Sequence, residues 1–290
     1  MPEDLEALAA HLRGIQRIIP LLEAVRSVSE IAFRRSQQRS APLDAYAMHV
    51  RSLFDELVAS LELVQRDALT QLFTPRGPVG LLVVSSERGL CGAFNDRIVA
   101  SARQSLRSDA FRGASVLILG ARGRSRFEEA GVPIAYARSV PSLTLPGYRD
   151  VENIALDMLE MLDRGILGRI VVLHAAPVHG FHYEIRMQSI YPPDVTLTPT
   201  RRQPVEVKPA SDLPALVRHL LTELVLVDVY GAVLASFVSE QLARISSMRL
   251  AVENARRLAD SLAGEYSLAR RHYITTSLLE IVAGYEAANR

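Results

Sequence analysis

The stretch LLVVSSERGLCGAFN, Leu81 to Asn95, joins an apolar run to a polar turn in which two glycines bracket the single cysteine. It admits three interpretations: a phosphate-binding loop, a catalytic cysteine, or a tight turn between a strand and a helix. A phosphate loop is poorly supported, because Gly89 and Gly92 are followed by no Lys-Ser/Thr pair. A catalytic Cys91 would need a base, and no hydrolase signature surrounds the available histidines, His174, His179 and His182. The pattern alone favours the turn, with a small buried cysteine beside the glycines.

Around this stretch, short runs of Val, Ile and Leu alternate with helical segments. Apolar runs cover 79–85, 115–120 and 169–175, and helical patterns lie near 94–108, 122–130 and 150–163. This alternation is typical of βαβ units with a parallel core, so we predict a Rossmann-like α/β domain over 75–195. The segment 181–193 alternates like an edge strand, and the proline-rich segment 196–210 reads as an extended connection.

The C-terminal segment, 211–290, carries a heptad seam. Alternate steps of four and three from Leu213 to Tyr273 meet an apolar residue everywhere except at Gly231 and Gln241. No proline follows Pro214, so one helix of about 110 Å is expected, which must project from a compact domain.

The N-terminal segment, 1–74, carries a second seam. Its first part is Leu5, Leu8, Leu12, Ile15, Ile19 and Leu22, and after a polar patch it resumes at Tyr46, Val50, Leu53, Leu57, Leu61, Val64 and Ala68. Pro20 and Pro42 are expected to kink or interrupt this helix. Two long seams at opposite ends of one chain predict an antiparallel coiled coil.

Composition excludes several function classes. The net charge of +1 argues against a nucleic-acid partner, and no Cys/His cluster has zinc spacing. We predict no metal site and no cofactor. No window of eighteen residues is apolar and free of charge, so we predict no direct membrane insertion.

Three motifs resemble the gamma subunit of F-type ATP synthases. The first is Glu87, Arg88, Gly89, Leu90, Cys91 and Gly92, similar to the D/E-R-G-L-C-G run of that family. The second lies in SEQLARISSMRLAVENA and matches at Ser239, Glu240, Arg244, Met248, Ala251, Asn254 and Ala255. The third lies in EYSLARRHYITTSLLEIVAGY and matches at Tyr266, Ala269, Arg270, Ile274, Thr275, Leu278, Glu280, Ile281, Val282 and Gly284.

The resemblance implies a central rotor shaft that has no catalytic residues of its own. Its partners would be the alpha and beta subunits of the catalytic hexamer, an epsilon-type subunit and the membrane rotor ring. The complex would be peripheral, on the cytoplasmic face of the bacterial plasma membrane. Contacts with the alpha/beta sleeve would come from Val25, Arg270, Arg271, Thr275, Ile281 and Val282.

The N-terminal helix departs most from the family pattern. Glu23 and Ala32 stand where lysines are usual, and Arg26 stands where glutamate is usual. These changes suggest a divergent branch of the family. Two alternatives stay open: a Rossmann-like enzyme that uses Cys91 and a histidine, with helical arms for dimerisation, and a stand-alone coiled-coil scaffold that forms a homodimer.

Overall fold

The computed structural model describes residues 3–60, 77–142, 144–180, 182–193 and 213–288. The chain divides into two compact units. The sheet unit comprises Ser29–Arg244, and the terminal unit comprises Met1–Val28 together with Ile245–Arg290. The predicted domain boundaries at 74, 195 and 210 stay predictions, and the predicted connection over 196–210 lies outside the described residues.

Along the chain, one long helix precedes and another follows a series of alternating strands and shorter helices. The helices are α1 (Glu3–Ser60), α2 (Phe94–Leu106), α3 (Ala121–Glu129), α4 (Tyr148–Asp163) and α5 (Leu213–Ala288). The strands are β1 (Val79–Val84), β2 (Ser115–Leu119), β3 (Ile134–Arg138), β4 (Arg169–Pro177) and β5 (Tyr183–Tyr191). A single 3-10 turn, Asp109–Phe111, lies between α2 and β2 among the described residues.

The described strands form one sheet in the order β3-β2-β1-β4-β5. Strand β1 pairs in parallel with β2 and β4, β2 pairs in parallel with β3, and β5 pairs antiparallel to β4. The predicted Rossmann-like parallel core and the edge strand near 181–193 are thus confirmed. Strand β3 was not predicted. It is a half-buried edge strand, and its short apolar stretch contains two alanines, a residue type that is depleted in strands.

Side chains alternate between the two faces of the sheet, and each face has its own core. One face buries Leu82, Leu117 and Val172 against α4 and the stretch of α5 from Val225 to Val233. The other face buries Leu81, Ile118 and Leu173 against α2 and Phe127 of α3. Because successive side chains of a strand point to opposite faces, neighbouring residues of β1 pack alternately into the two cores.

Helix α5 follows the predicted seam closely. From Val217 to Leu262 every seam position is buried or half-buried, including the two exceptions, Gly231 and Gln241. Between Leu224 and Arg244 the helix is buried on nearly all sides, because residues off the seam contact the sheet. Its 76 residues form one continuous helix, as the absence of proline after Pro214 predicts.

Helix α1 differs from its prediction in two ways. It continues through Pro20 and Pro42 without interruption, and both prolines are exposed, where water can satisfy the carbonyl groups that they leave unbonded. The seam does not stop at the polar patch: small residues carry it across, and Ser29, Ala32 and Ser36 are buried.

The second part of the α1 seam is confirmed at Val50 and Leu57 but does not follow every predicted position. Tyr46 and Leu53 are exposed, whereas Val50, Phe54 and Leu57 are buried. The predicted seam positions Leu61, Val64 and Ala68 lie outside the described residues.

Helices α1 and α5 contact each other in an antiparallel arrangement, as predicted. In the sheet unit, Phe33 packs with the buried cluster of Leu234, Val238 and Leu242, while Phe54, further along α1, packs with Val217 and Leu224, earlier in α5. In the terminal unit, Arg256 donates a hydrogen bond of 2.5 Å to Glu23. Glu23 is one of the positions at which the sequence departs from the family pattern, and its carboxylate is used within the chain.

Within Ala215–Tyr285, α5 contains an eighteen-residue window with a mean hydropathy of 1.8, long and apolar enough to cross a membrane. However, 72% of that window is buried inside the protein. The hydropathy is therefore that of a core helix, and the expectation of no direct membrane insertion stays a prediction.

A charged pair joins α1 to α5 inside the sheet unit. Nη2 of Arg51 donates to both carboxylate oxygens of Asp228, at 2.6 and 2.9 Å. The Asp228 side chain is only 7% exposed, and burial raises its pKa while Arg51 opposes that shift. We expect Arg51→Met to lower the free energy of unfolding by about 2 kcal/mol, because it leaves a buried carboxylate without its cation.

Thermal and urea unfolding of the full chain measure this loss. The matched control is Arg112→Met, which removes the exposed Arg112–Asp109 pair and should cost less than about 0.5 kcal/mol. Equal effects of the two substitutions would contradict a stabilising role for Arg51.

Candidate functional site

The loop after β1 is held closed by a buried hydrogen-bond network. The hydroxyl of Ser86 donates to the carbonyl oxygen of Arg88 at 2.6 Å and accepts from Asn95 Nδ2 at 2.8 Å. The backbone N–H of Ser86 donates to Asn95 Oδ1 at 3.1 Å. The side chain of Asn95, in the first turn of α2, thus closes the turn from strand to helix.

Two residues of this loop have left-handed backbone. Gly92 has φ +58°, which glycine adopts without steric cost, and Leu90 has φ +65°, which is uncommon for a leucine. Leu90 is also 59% exposed, so no burial of its side chain compensates for that backbone conformation. The network around Ser86 and the contact with α5 described below hold the loop in this conformation.

Cys91 is buried in the turn. It is 2% exposed, and burial raises the pKa of its thiol. Among the described residues its sulfur contacts the Ser86 hydroxyl, the Arg88 carbonyl and Asn95 Nδ2, and none of these is a histidine base. A nucleophilic cysteine needs access and a lowered pKa, so this environment favours a structural role.

Beside the loop lies a cluster that we call the polar joint: Glu240, Gln241 and Arg244 of α5 with the backbone carbonyls of Gly89 and Ser142. The guanidinium of Arg244 donates to the Gly89 carbonyl from Nε at 3.4 Å and from Nη2 at 3.3 Å. It also donates from Nη2 to Glu240 at 2.5 Å and from Nη1 to Gln241 at 3.1 Å. Gln241 Nε2 in turn donates to the Ser142 carbonyl at 3.3 Å.

The polar joint is almost sealed from water. The side chains of Arg244 and Glu240 are each 6% exposed. Burial raises the pKa of Glu240 to about 7, although the charge and hydrogen bond of Arg244 act in the opposite direction. The negative charge of Glu87 adds to the rise. Glu87 is itself held in place, since it accepts from the backbone N–H of Ala121 and from the Ser139 hydroxyl, both at 3.1 Å.

Helix α5 also covers the carboxyl end of the central strand. The hydroxyl of Ser236 donates to the carbonyl of Val84, the last residue of β1, at 3.3 Å. The space left between Ser85, Glu87 and Glu240 is about 10 Å³, roughly the room for one water molecule. In open α/β sheets ligands bind outside the carboxyl ends of the strands, and at β1 a helix takes that place.

The polar joint brings together motifs that lie far apart in the sequence. Gly89 belongs to the first motif and Glu240 and Arg244 belong to the second, while Ser239 is fully buried and donates back to its own helix at Ala235. The sequence did not single out Gln241 or Ser142 as site residues. The sequence could have indicated Gln241, because it is a polar residue at a seam position. It could not have indicated Ser142, because that residue takes part through its backbone carbonyl.

The remaining residues singled out in the sequence lie in the terminal unit. Met248 is buried, and Asn254 accepts a hydrogen bond from Arg257 at 3.0 Å. Val25 is half-buried, whereas the predicted sleeve contacts on α5 are exposed: Arg270, Arg271, Thr275, Ile281 and Val282. These residues are accessible to a partner, and their role stays a prediction.

The described residues hold no group of three or more His, Cys, Asp or Glu side chains that could bind a metal ion. The fold and the polar joint define a class: proteins in which the sequence of a Rossmann-like sheet is inserted between two long helices that pair with each other, the second of which packs against the sheet. The family model described as ATP synthase matches residues 4–288. The chain therefore belongs to the family of ATP synthase gamma chains.

Relatives match over nearly the whole chain. The chain is 29% identical over 292 residues to an ATP synthase gamma chain of Ruegeria sp. (strain TM1040), covering 98% of this chain and 99% of that one. It is 25% identical over 293 residues to the gamma chain of Sulfurovum sp. (strain NBC37-1), with the same coverage.

A solved structure shares the fold. A chain of the Euglena gracilis mitochondrial ATP synthase, from a structure of its OSCP/F1/c-ring portion, superposes with a TM-score of 0.72 at 16% identity. The match covers 99% of this chain and 95% of that one.

The raised pKa of Glu240 predicts a pH-dependent stability. Between about pH 4.5 and pH 7 the folded state holds a proton that the unfolded state has released, so stability falls as the pH rises through this window. Glu240→Gln removes this titration. As the pH rises from 5 to 8, we expect the difference in unfolding free energy between the variant and the native chain to change by up to about 3 kcal/mol in favour of the variant.

Unfolding of the full chain, followed at several pH values, measures this difference. The matched control is Glu253→Gln, which alters an exposed pair with Arg257 at the same helical spacing and should leave the pH profile unchanged. A difference between Glu240→Gln and the native chain that does not vary with pH would refute the prediction.

Proposed function

We propose that the chain is the central-stalk rotor subunit of a rotary F-type ATP synthase or ATPase. It couples ion flow through a membrane ring to ATP synthesis or hydrolysis in an alpha/beta hexamer. The observation that carries the proposal is the family match over residues 4–288, which includes both long helices as well as the sheet between them. A paired antiparallel coiled coil is the element that a torque-bearing shaft needs.

The alpha and beta subunits enclose the tip of α5. Over its last turns this helix exposes several large apolar side chains: Leu268, Ile274, Leu278, Leu279, Ile281, Val282 and Tyr285. A run of this kind cannot be covered by one partner helix, and on a soluble surface it marks a protein interaction site. Arg270, Arg271 and Thr275 add a polar band beside it. Val25 of α1 lies two residues from Glu23, which pairs with Arg256, so it contributes a sleeve contact further along the helix pair.

The epsilon-type subunit and the membrane rotor ring bind the sheet unit. The complex lies peripherally on the cytoplasmic face of the bacterial plasma membrane. The chain performs no bond chemistry itself; its asymmetric surface imposes different nucleotide affinities on the catalytic sites that it contacts.

The alternative of a cysteine-dependent enzyme has less support. It needs an exposed thiol with a lowered pKa, whereas Cys91 is buried and the pKa of its thiol is raised. The scaffold alternative needs a stable homodimer, while the apolar tip of α5 suits a surrounding partner.

The substitution Cys91→Ala distinguishes the rotor hypothesis from the enzyme hypothesis. We expect it to cost about 1 kcal/mol of stability through lost packing, and to leave coupled ATP synthesis or hydrolysis within a factor of two of the native rate. The native thiol should react slowly with iodoacetamide until the chain is unfolded. Rapid alkylation of the folded protein, or loss of activity in a variant that still folds, would favour the enzyme.

Affinity purification of the full chain from its source tests the rotor itself. Alpha and beta subunits should be recovered with it in a stable complex. The double variant Ile281→Asp, Val282→Asp should release these subunits several-fold faster in a salt wash, because charges replace buried apolar contacts. The matched control is Met48→Asp, at an exposed apolar position of α1 outside the predicted contacts. Recovery of a homodimer without alpha or beta subunits would overturn the proposal.

A further inference from the structure

A cavity of about 360 Å³ lies in the sheet unit, and the residues that line it do not belong to the polar joint. Its walls come from three elements: α1, α5 and the β4–β5 hairpin. This volume falls within the range of small-molecule sites. Apolar side chains of α1 and α5 form much of its wall: Phe33, Leu43, Leu234, Val238 and Leu242.

A buried histidine lines this cavity. His174 is 5% exposed, and burial lowers its pKa, with the charge of Arg186 acting in the same direction. The imidazole is therefore neutral near pH 7. Its Nδ1 lies 3.1 Å from the carbonyl oxygen of Ala175, which only accepts, so Nδ1 carries the proton and Nε2 is an acceptor.

The acceptor nitrogen of His174 is accessible to a solute. Among the described residues no hydrogen bond to its Nε2 is found, and this nitrogen is not sealed in the protein interior. A neutral acceptor beside apolar side chains is best matched by an uncharged hydrogen-bond donor, because burying a charge there would cost free energy. A molecule that fits here thus carries an O–H or N–H group on a hydrocarbon body.

Gly231 is a second, independent observation. It lies in the interior of α5, where glycine is less favourable than alanine, and its backbone conformation does not require glycine. A Cβ built at this position would meet nothing within 4 Å. Packing therefore does not explain the glycine, and its missing side chain leaves the cavity open at the seam.

The rim is polar. Gln37 and Asp44 of α1 and Arg186 of β5 are exposed at the cavity, and Arg186 is already hydrogen-bonded to Glu184. The rim offers a route for a polar solute to enter, while the interior next to His174 and Leu234 suits an uncharged one.

We propose that this cavity binds a compact, uncharged amphiphile, an alcohol or amide with a hydrocarbon body, whose O–H or N–H group donates to Nε2 of His174. The site goes beyond the rotor role and does not depend on it, since binding uses only contacts within the sheet unit.

Ligand-observed saturation-transfer NMR on the purified complex tests the site, with cyclohexanol as the probe and cyclohexanone as its donor-free counterpart. Native protein should bind cyclohexanol about five- to tenfold more tightly than cyclohexanone, the effect of one hydrogen bond. His174→Phe keeps a ring of similar size and should reduce cyclohexanol binding to the level of cyclohexanone.

Substitutions that fill the cavity provide a second test of the site. Gly231→Leu should abolish the cyclohexanol signal, while the matched control Gly231→Ala should retain it and melt at or above the native temperature. If Gly231→Leu does not fold, Ser40→Leu fills the cavity from α1, since the Ser40 hydroxyl bonds only to carbonyls of its own helix. Equal affinities of native protein for the two probes, or an unchanged signal in a folded filling variant, would overturn the proposal.

Discussion

Helix α5 has to bury two faces at once between Leu224 and Arg244, and the rest of the sheet unit depends on that constraint. One face is the heptad seam that meets α1, and the other completes the core formed by the sheet and α4. A helix covered on both sides has no polar stripe, which is why its hydropathy resembles that of a membrane span. Composition here reports burial within the protein: on one stretch of helix the seam residues pack against α1 and the residues off the seam pack against the sheet.

In the buried stretch of this helix, the charged side chains of Asp228, Glu240 and Arg244 all have hydrogen-bond partners. Arg244 uses the fork geometry of its guanidinium to bind Glu240, Gln241 and the Gly89 carbonyl together. A lysine would bring one point charge and could not span these acceptors in the same plane. The loop after β1 is thereby fixed from two sides, by Asn95 of α2 and by Arg244 of α5, and Leu90 keeps its unfavourable backbone conformation between them.

The sequence predicted those elements whose pattern reports burial directly. The seam of α5 and the strands of the parallel core have apolar residues at most of their buried positions, with Gly231, Gln241 and His174 among the exceptions. It missed β3, a half-buried edge strand, and the α1 seam across Ser29, Ala32 and Ser36, where close helix packing uses small residues that look polar or neutral. The motif residues of the polar joint were identified by resemblance, but their meeting depends on tertiary contacts and on the backbone carbonyls of Gly89 and Ser142, which no sequence pattern records.

A Rossmann-like sheet does not by itself imply a nucleotide, because the place where such sheets bind ligands can be used for structure. In this chain Ser236 and Glu240 of α5 lie over the carboxyl end of β1 and leave space for about one water molecule. The larger cavity lies instead beside β4, between His174 and Gly231. Both features follow from the course of α5 along the sheet. The part of α5 that carries Glu240 and Arg244 covers the end of β1, whereas the part that carries Gly231 leaves an open space.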